Sequence, residues 1–333
     1  MKISINGFGR IGKTFLRALL LDEKTASRIE IPIINIGPCP TENLDLLFKY
    51  DSIMGEFPGE VKFKDNFLHI NNHKIKIISE INPNDTNWEK FDIDWVIESS
   101  GHFTEREEAS LHLQAGAKKV LITAPAKNED VSIIPGINDS DYNPEKHKIV
   151  SLGSCTTNCL APLIKVTKDH LNLKNCLMTT IHAYTNTQVL LDVEHPDPRR
   201  ARAAGLNIIP TKTGAEKAIL KIFPELKGKI QATAIRIPIP IVSIIDFTFE
   251  SEKSLTSESI NKALKTSAES ELKGILSYTE KPLVSSDFKG NPHSCIIDSS
   301  ITKATNNIGK IFAWYDNEWG YSQRLKDFLL HNA

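Results

Sequence analysis

The stretch Asn6-Gly7-Phe8-Gly9-Arg10-Ile11-Gly12 constrains this chain more than any other segment. It is a G-x-G-x-x-G that follows a short β-type run, residues 3–6, and opens a helical pattern over residues 10–21. There Ile11, Phe15, Leu16, Leu19 and Leu20 fall at helical spacing. In that strand–turn–helix setting, Gly7, Gly9 and Gly12 allow a tight turn, close approach of backbone to a diphosphate, and close packing of helix on strand. The helix N-terminus then offers unpaired N–H groups and positive partial charge to an anion. The segment predicts the first unit of a doubly wound, parallel sheet that binds a dinucleotide.

The first half of the chain alternates as that fold requires. Residues 29–36 form a near-continuous apolar run, as in a strand buried on both faces. Residues 41–49 read as a helix with Thr41 as its cap. Residues 61–63, 67–70 and 74–78 read as antiparallel strands, with Asn71-Asn72 as a turn. Residues 95–98 and 120–123 are further buried strands around a helix at 104–115. After residue 153 long β-type runs dominate, at 177–184, 229–237, 242–249 and 310–315, with helical stretches at 213–223, 257–270 and 321–330. The expected fold class is α/β: a Rossmann-type doubly wound parallel sheet over residues 1–153, then an α+β catalytic domain with a mainly antiparallel sheet over 154–318. Residues 319–333 form a C-terminal helix expected to pack back on the dinucleotide-binding domain. The polar, Arg-rich segment 192–206 has little periodicity, and a loop that long is usually functional.

Composition narrows the class. With 333 residues there is room for two cores. The formal net charge of −1 gives no general pull on nucleic acid or anionic membrane. No apolar run is long enough to span a bilayer, and the N-terminus does not read as a signal peptide. Cytoplasmic residence is the default. The five cysteines, Cys39, Cys155, Cys159, Cys176 and Cys295, are odd in number and scattered, which argues against a disulfide framework. They lack zinc-type spacing, so no metal site is expected.

Ser154-Cys155-Thr156-Thr157-Asn158-Cys159 reads as a cysteine at the start of a helix, with Ser154 as N-cap. That position is expected to lower a thiol pKa. A buried structural cysteine is the alternative reading, and it is the one expected for Cys159, one turn deeper. A cysteine nucleophile needs a base. His182, at the end of an apolar strand and ahead of Tyr184-Thr185-Asn186-Thr187, is the best of the ten histidines. Arg199-Arg200-Ala201-Arg202 is either a solvated charge run or an anion site. Arg236 ends another apolar strand, and Thr211-Lys212-Thr213-Gly214-Ala215 opens a helix whose N–H groups can hold an anion. Two phosphate-sized anions near one thiol are the reading these parts support.

One expected feature is absent. The second strand ends Ile34-Asn35-Ile36-Gly37-Pro38, with no carboxylate for the adenosine ribose before Glu42. Its absence relaxes discrimination against NADP. No Arg or Lys follows to hold a 2′-phosphate, and Glu194 in the long loop weighs toward NAD if it faces the ribose.

Over essentially its full length the chain resembles the phosphorylating glyceraldehyde-3-phosphate dehydrogenase family. The resemblance rests on Asn6 to Gly12, Lys49-Tyr50-Asp51-Ser52, Ser154 to Pro162, His182 to Gln188, Asn207 to Ala215, and Trp314-Tyr315-Asp316-Asn317-Glu318-Trp319-Gly320-Tyr321-Ser322. It implies Cys155 as nucleophile and His182 as base. Thr185 and Arg236 would bind the substrate's phosphate. Ser154, Thr156, Arg200, Thr213 and Gly214 would line the site of attacking inorganic phosphate. Asn317 would hold the nicotinamide carboxamide, and Arg10, Ile11 and Thr123 would contact the cofactor. The family's usual Asp corresponds to Ile36, and a frequent Arg on the adenine side corresponds to Ile81. Arg199-Arg200-Ala201-Arg202-Ala203-Ala204 resembles a subgroup that includes dual-cofactor members. The implied cofactor is NAD, with NADP accepted as a second possibility. The implied assembly is a homotetramer whose loop at about 183–207 packs against a neighbour's cofactor site, with no nucleic acid or membrane required.

The implied reaction converts glyceraldehyde 3-phosphate and inorganic phosphate to 1,3-bisphosphoglycerate through a Cys155 thioester. Erythrose-4-phosphate dehydrogenase shares the fold, the Cys and the His, but relatives of that type usually lack the segments present here as Tyr184 to Thr187 and Thr213 to Ala215. A non-catalytic binding role on the same fold has no basic or aromatic nucleic-acid motif behind it. A cysteine hydrolase leaves the glycine motif unexplained.

Overall fold

β1 (Lys2–Asn6) runs through the middle of a nine-stranded sheet, and the glycine turn leads from its end into α1 (Arg10–Leu20). The computed structural model describes residues 1–332. It contains two units: residues 1–133 with 140–153 and the chain from Ser322 on, and residues 134–139 with 154–321.

In the first unit α2 (Glu23–Ala26) precedes β2 (Glu30–Asn35), and α3 (Leu44–Lys49) precedes the short pair β3 (Tyr50–Asp51) and β4 (Gly55–Glu56). Next come β5 (Val61–Lys64), β6 (Phe67–Ile70), β7 (His73–Ile78), β8 (Trp95–Glu98), α4 (Arg106–Gln114), β9 (Lys119–Ile122), β10 (Val131–Ser132) and β11 (Ile149–Ser151). The strand order is β10-β11-β9-β8-β1-β2-β7-β6-β5. The pairs from β10 to β7 are parallel; β7-β6 and β6-β5 are antiparallel. The β5–β6 turn places Asp65 and Asn66 both in the left-handed region, the backbone a two-residue hairpin needs. β7 does double duty, antiparallel to β6 and parallel to β2. Pro32 lies within β2 where the register against β1 shifts between Lys2 and Ser4, a place that tolerates a missing N–H. The expected helix over 41–49 is shorter than its pattern: it begins at Leu44 after Asn43, and Thr41 does not cap it.

Helix α8 (Trp319–His331) joins the first unit from Ser322 on. There the Phe328 ring meets Trp95 edge-on at 5.6 Å and Tyr142 at 5.2 Å, and Lys326 Nζ pairs with Asp22 at 3.0 Å.

The second unit opens with α5 (Cys155–Leu171) and β12 (Leu173–Ala183). The long loop then returns as β13 (Ile209–Thr211), followed by α6 (Ala215–Ile222), β14 (Ile230–Ile237), β15 (Ser243–Ser251), α7 (Ser257–Glu269), β16 (Leu276–Thr279), β17 (Cys295–Asp298), β18 (Lys303–Thr305) and β19 (Ile308–Tyr315). The sheet order is β13-β14-β12-β15-β19-β17-β16, with β18 on β19. It is mainly antiparallel, but β12-β14 and β16-β17 are parallel. Alternate residues of β12, β15 and β19 (Cys176 and Met178, Phe247 and Phe249, Ile311 and Ala313) bury one sheet face in a core with α5, α6 and α7. Each such side chain contributes about 1.5–3 kcal/mol when large and fully buried. No helix among the described residues is long and apolar enough to cross a membrane.

Candidate active site

Ser154 has the extended backbone of an N-cap, and its Oγ accepts from Thr157 N at 3.1 Å. That cap starts α5 at Cys155, while Cys159, one turn deeper, is fully buried in the core. Cys155 is half-buried, and its Sγ lies 3.5 Å from His182 Nε2.

His182 is the penultimate residue of β12, and its register partner on the parallel neighbour β14 is Arg236. The pairing brings Arg236 Nη1 to 2.8 Å from His182 Nδ1, while the same Nη1 donates to Ala183 O at 2.8 Å. Nδ1 also lies 2.6 Å from Ala183 O. In the tautomer with its proton on Nδ1, that proton is donated to the Ala183 carbonyl, Arg236 Nη1 donates to the same carbonyl and not to the ring, and the Nε2 lone pair faces the sulfur. Tyr315, buried at the end of β19, meets the His182 ring edge-on at 5.9 Å. Its hydroxyl bridges Thr156 Oγ1 at 3.0 Å and Thr180 Oγ1 at 2.7 Å.

The expectation of a lowered thiol is not met. Burial pushes the Cys155 thiol above its ordinary value, and the Arg236 charge with hydrogen bonds from Thr156 pulls it only part of the way back. His182 is pushed down to about 3, chiefly by burial and then by the charge of Arg236, against the pull of the Ala183 carbonyl. The resting pair is therefore a neutral thiol beside a neutral imidazole.

The remaining anion-site residues, Thr185, Arg200, Thr213 and Gly214, lie on the stretch of chain between β12 and α6. Arg200 folds onto β13: its Nε donates to Thr211 Oγ1 at 2.9 Å, and its charge reaches His182. Thr185, three residues beyond His182, pairs its hydroxyl with Thr187 at 3.0 Å. Thr213 Oγ1 accepts from Ala215 N at 3.2 Å, and Gly214 is the residue before α6, whose start has no side-chain cap. Asn317 Oδ1 accepts from Ser243 Oγ at 3.3 Å, and that oxygen accepts from Ala183 N at 3.1 Å. Ser243 thereby ties Asn317 to the residue after His182. Ser243 has no signal of its own in the sequence, because it is one residue in an alternating strand and its partners come from other strands; Tyr315 lies within a motif that carries the resemblance, but its link to Thr156 and Thr180 is visible only in the fold.

In the first unit the glycine turn is sterically constrained at two of its three glycines. Gly7 has φ +91°, and a Cβ there would sit 2.4 Å from the Ser100 backbone. A Cβ on Gly12 would meet Gly7 O at 2.3 Å, whereas one on Gly9 would meet only open space. The start of α1 has no side-chain cap and no acidic residue in its first turn. Its N–H groups, including those near Arg10 and Ile11, suit a diphosphate, so the residues present fit the group. The Arg10 side chain is engaged by Asp51. Burial opposes that carboxylate's charge, but the Arg10 hydrogen bond and the Ile53 and Met54 N–H groups hold Asp51 down to about 2. Thr123 Oγ1 donates to Glu98 O at 3.1 Å. Ile36 is buried, and Ile81, beyond the end of the neighbouring strand β7, is exposed. No cluster of three metal-ligating side chains occurs among the described residues.

Comparison with known proteins matches both units. The family model described as "Glyceraldehyde 3-phosphate dehydrogenase, NAD binding domain" covers residues 1–106, and that described as "Glyceraldehyde 3-phosphate dehydrogenase, C-terminal domain" covers 154–317. The chain is 49% identical over 329 residues to glyceraldehyde-3-phosphate dehydrogenase 2 of Trichormus variabilis, covering 98% of this chain and 97% of the relative. It is 46% identical to the glyceraldehyde-3-phosphate dehydrogenase of Geobacillus stearothermophilus, covering 100% and 98%. The figure for glyceraldehyde-3-phosphate dehydrogenase 2 of Bacillus subtilis is 44%, covering 100% and 97%.

Proposed function

This chain belongs to the glyceraldehyde-3-phosphate dehydrogenase family, and from that premise we propose that it oxidises D-glyceraldehyde 3-phosphate to 1,3-bisphosphoglycerate in glycolysis. The observation that carries the chemistry is Cys155 Sγ at 3.5 Å from His182 Nε2.

Cys155 Sγ forms a bond to the aldehyde carbon as His182 Nε2 takes the thiol proton and returns it to the carbonyl oxygen. Nε2 then takes the hydroxyl proton of the hemithioacetal as hydride leaves. Bound NAD supplies the acceptor for that hydride. The product is a thioester on Cys155, which keeps the oxidation energy available for acyl transfer. Inorganic phosphate attacks its carbon, the C–S bond breaks, and the departing sulfur takes back the proton that His182 Nε2 holds. N–H groups at the start of α5 stabilise the oxyanions.

Arg236 and Thr185 hold the substrate's phosphate in this reading. Ser154, Thr156, Arg200, Thr213 and Gly214 hold the attacking phosphate, and Asn317 the carboxamide. The turn at Gly7, Gly9 and Gly12, with Arg10, Ile11 and Thr123, holds the rest of the dinucleotide. NADP is accepted as a weaker second cofactor, because position 36 lacks a carboxylate. The long loop leaves Leu190 88% and Leu206 82% exposed, which supports burial against further copies in a cytoplasmic homotetramer. The test is turnover with each sugar phosphate, with and without inorganic phosphate. Phosphate-dependent oxidation of glyceraldehyde 3-phosphate supports the reading; a preference for erythrose 4-phosphate independent of phosphate contradicts it.

A further inference from the structure

Four side chains that the reaction does not use form a buried row along the C-terminal ends of adjacent strands in the first unit. β8, β1 and β2 lie side by side and end in Glu98, Asn6 and Asn35, which are register partners. His112 of α4 completes the row, with Trp88 behind it. All five are no more than 3% exposed.

The hydrogen bonds have one possible direction. An indole N–H only donates, so Trp88 Nε1 at 3.1 Å makes His112 Nδ1 the acceptor. The neutral ring then has its proton on Nε2 and donates to Glu98 Oε2 at 2.9 Å. Asn6 Nδ2 donates to the same oxygen at 2.6 Å. Glu98 Oε1 accepts from Ser100 N at 2.8 Å and Ser100 Oγ at 2.5 Å. Asn6 Oδ1 accepts from Asn35 Nδ2 at 2.7 Å, and Asn35 Oδ1 accepts from Glu80 N at 2.9 Å and Gly37 N at 3.3 Å. The side-chain N–H groups of His112, Asn6 and Asn35 all point along the row toward Glu98, whose carboxyl oxygens are the final acceptors.

The row underlies both loops that a dinucleotide would meet. Gly7 N donates to Asn35 O at 2.8 Å, and Ser99 Oγ donates to Gly7 O at 2.6 Å. The Gly7 turn presses on the Ser100 backbone, and Gly37 is held by Asn35. A negative charge at this level opposes an anionic ligand and costs desolvation, so electrostatic attraction does not explain its place. Orientation of the two loops does.

We propose that Glu98 is a positioning residue for the dinucleotide: through Asn6, Asn35 and Ser100 it fixes the glycine turn and the loop at Ile36 and Gly37, and so sets cofactor affinity. The proposal rests on the reading that this unit binds NAD. Its probe is calorimetric titration of the full-length chain with NAD and with ADP, alongside steady-state kinetics. Glu98→Gln keeps the volume but turns an N–H toward N–H donors. The expected result is a roughly tenfold rise in Kd for both ligands and in the KM for NAD, with kcat at saturating NAD changed by less than about twofold. His112→Leu is expected to weaken binding in the same sense. His112→Gln, whose amide can donate to Glu98 and accept from Trp88, is expected to restore it, which a general loss of packing would not do. Unchanged NAD affinity in both Glu98→Gln and His112→Leu, each folded with a native circular dichroism spectrum, overturns the proposal while leaving the NAD reading intact. A wild-type chain that binds neither NAD nor ADP overturns that reading and the proposal with it.

Discussion

His182 and Arg236 are register partners on the parallel strands β12 and β14, and this pairing sets Arg236 Nη1 2.8 Å from the imidazole Nδ1. The cation lies on the side of the ring opposite the thiol, and it adds to burial in keeping the imidazole neutral. Arg236→Leu is expected to raise the His182 pKa from about 3 toward its ordinary value, as read by an NMR titration of the ring protons. The same substitution should raise the KM for glyceraldehyde 3-phosphate more than tenfold, since a charge-assisted contact to phosphate is lost. A KM within about twofold of wild type would count against Arg236 as a phosphate ligand.

The depressed His182 pKa also makes stability depend on pH. The unfolded chain binds a proton at this residue below about 6.5, whereas the folded chain resists it until about 3. His182 therefore favours unfolding progressively as pH falls from about 6.5 toward about 3, and has no such effect above that window. Urea midpoints measured from pH 7 to pH 5 should fall with acid, and His182→Gln should fall less steeply. Parallel curves for the two proteins would contradict the burial of a neutral imidazole.

Ile36 occupies the position from which a carboxylate would bind the adenosine ribose and repel a 2′-phosphate. NAD is expected to be the better cofactor by a modest margin in kcat/KM. Ile36→Asp should widen that margin by about tenfold or more, mainly by weakening NADP. Side-by-side kinetics with both cofactors check this; an unchanged ratio would show that discrimination is set elsewhere.

Arg17 is a buried cation that holds the start of the first unit together. It donates to the carbonyls of Phe48, Lys49 and Gly55 and lies over the Phe48 and Phe57 rings. Arg17→Met should keep the packing of the stem but leave those carbonyls without their donor, at a cost of about 1–3 kcal/mol in urea unfolding. A loss below about 0.5 kcal/mol would mean that the carbonyls find other donors.

The parts of this molecule legible in the sequence are those written locally. The glycine turn, the Ser154 cap, the alternation of strands and helices and the Asn71-Asn72 turn each need only a few neighbouring residues. The parallel pairing of β12 with β14 is not local: 54 residues separate His182 from Arg236, and nothing in either strand states which residues will face each other. Glu98 and His112 read as ordinary polar residues at the end of a strand and within a helix, and only the fold reveals them as one buried pair. The thiol shows the opposite failure. A helix N-terminus argues for a lowered pKa, but the burial that outweighs it comes from the fold around the site.

The central claim is that Cys155 and His182 together form and discharge a thioester. Rapid mixing of the enzyme with glyceraldehyde 3-phosphate and NAD in the absence of phosphate, with mass spectrometry of the quenched chain, tests it most directly. The account predicts a burst of reduced nicotinamide matching the number of active sites and a phosphoglyceryl adduct on Cys155 that disappears when phosphate is added. It predicts neither in Cys155→Ser. A burst without an adduct on Cys155, or near-normal turnover by Cys155→Ser, would contradict it.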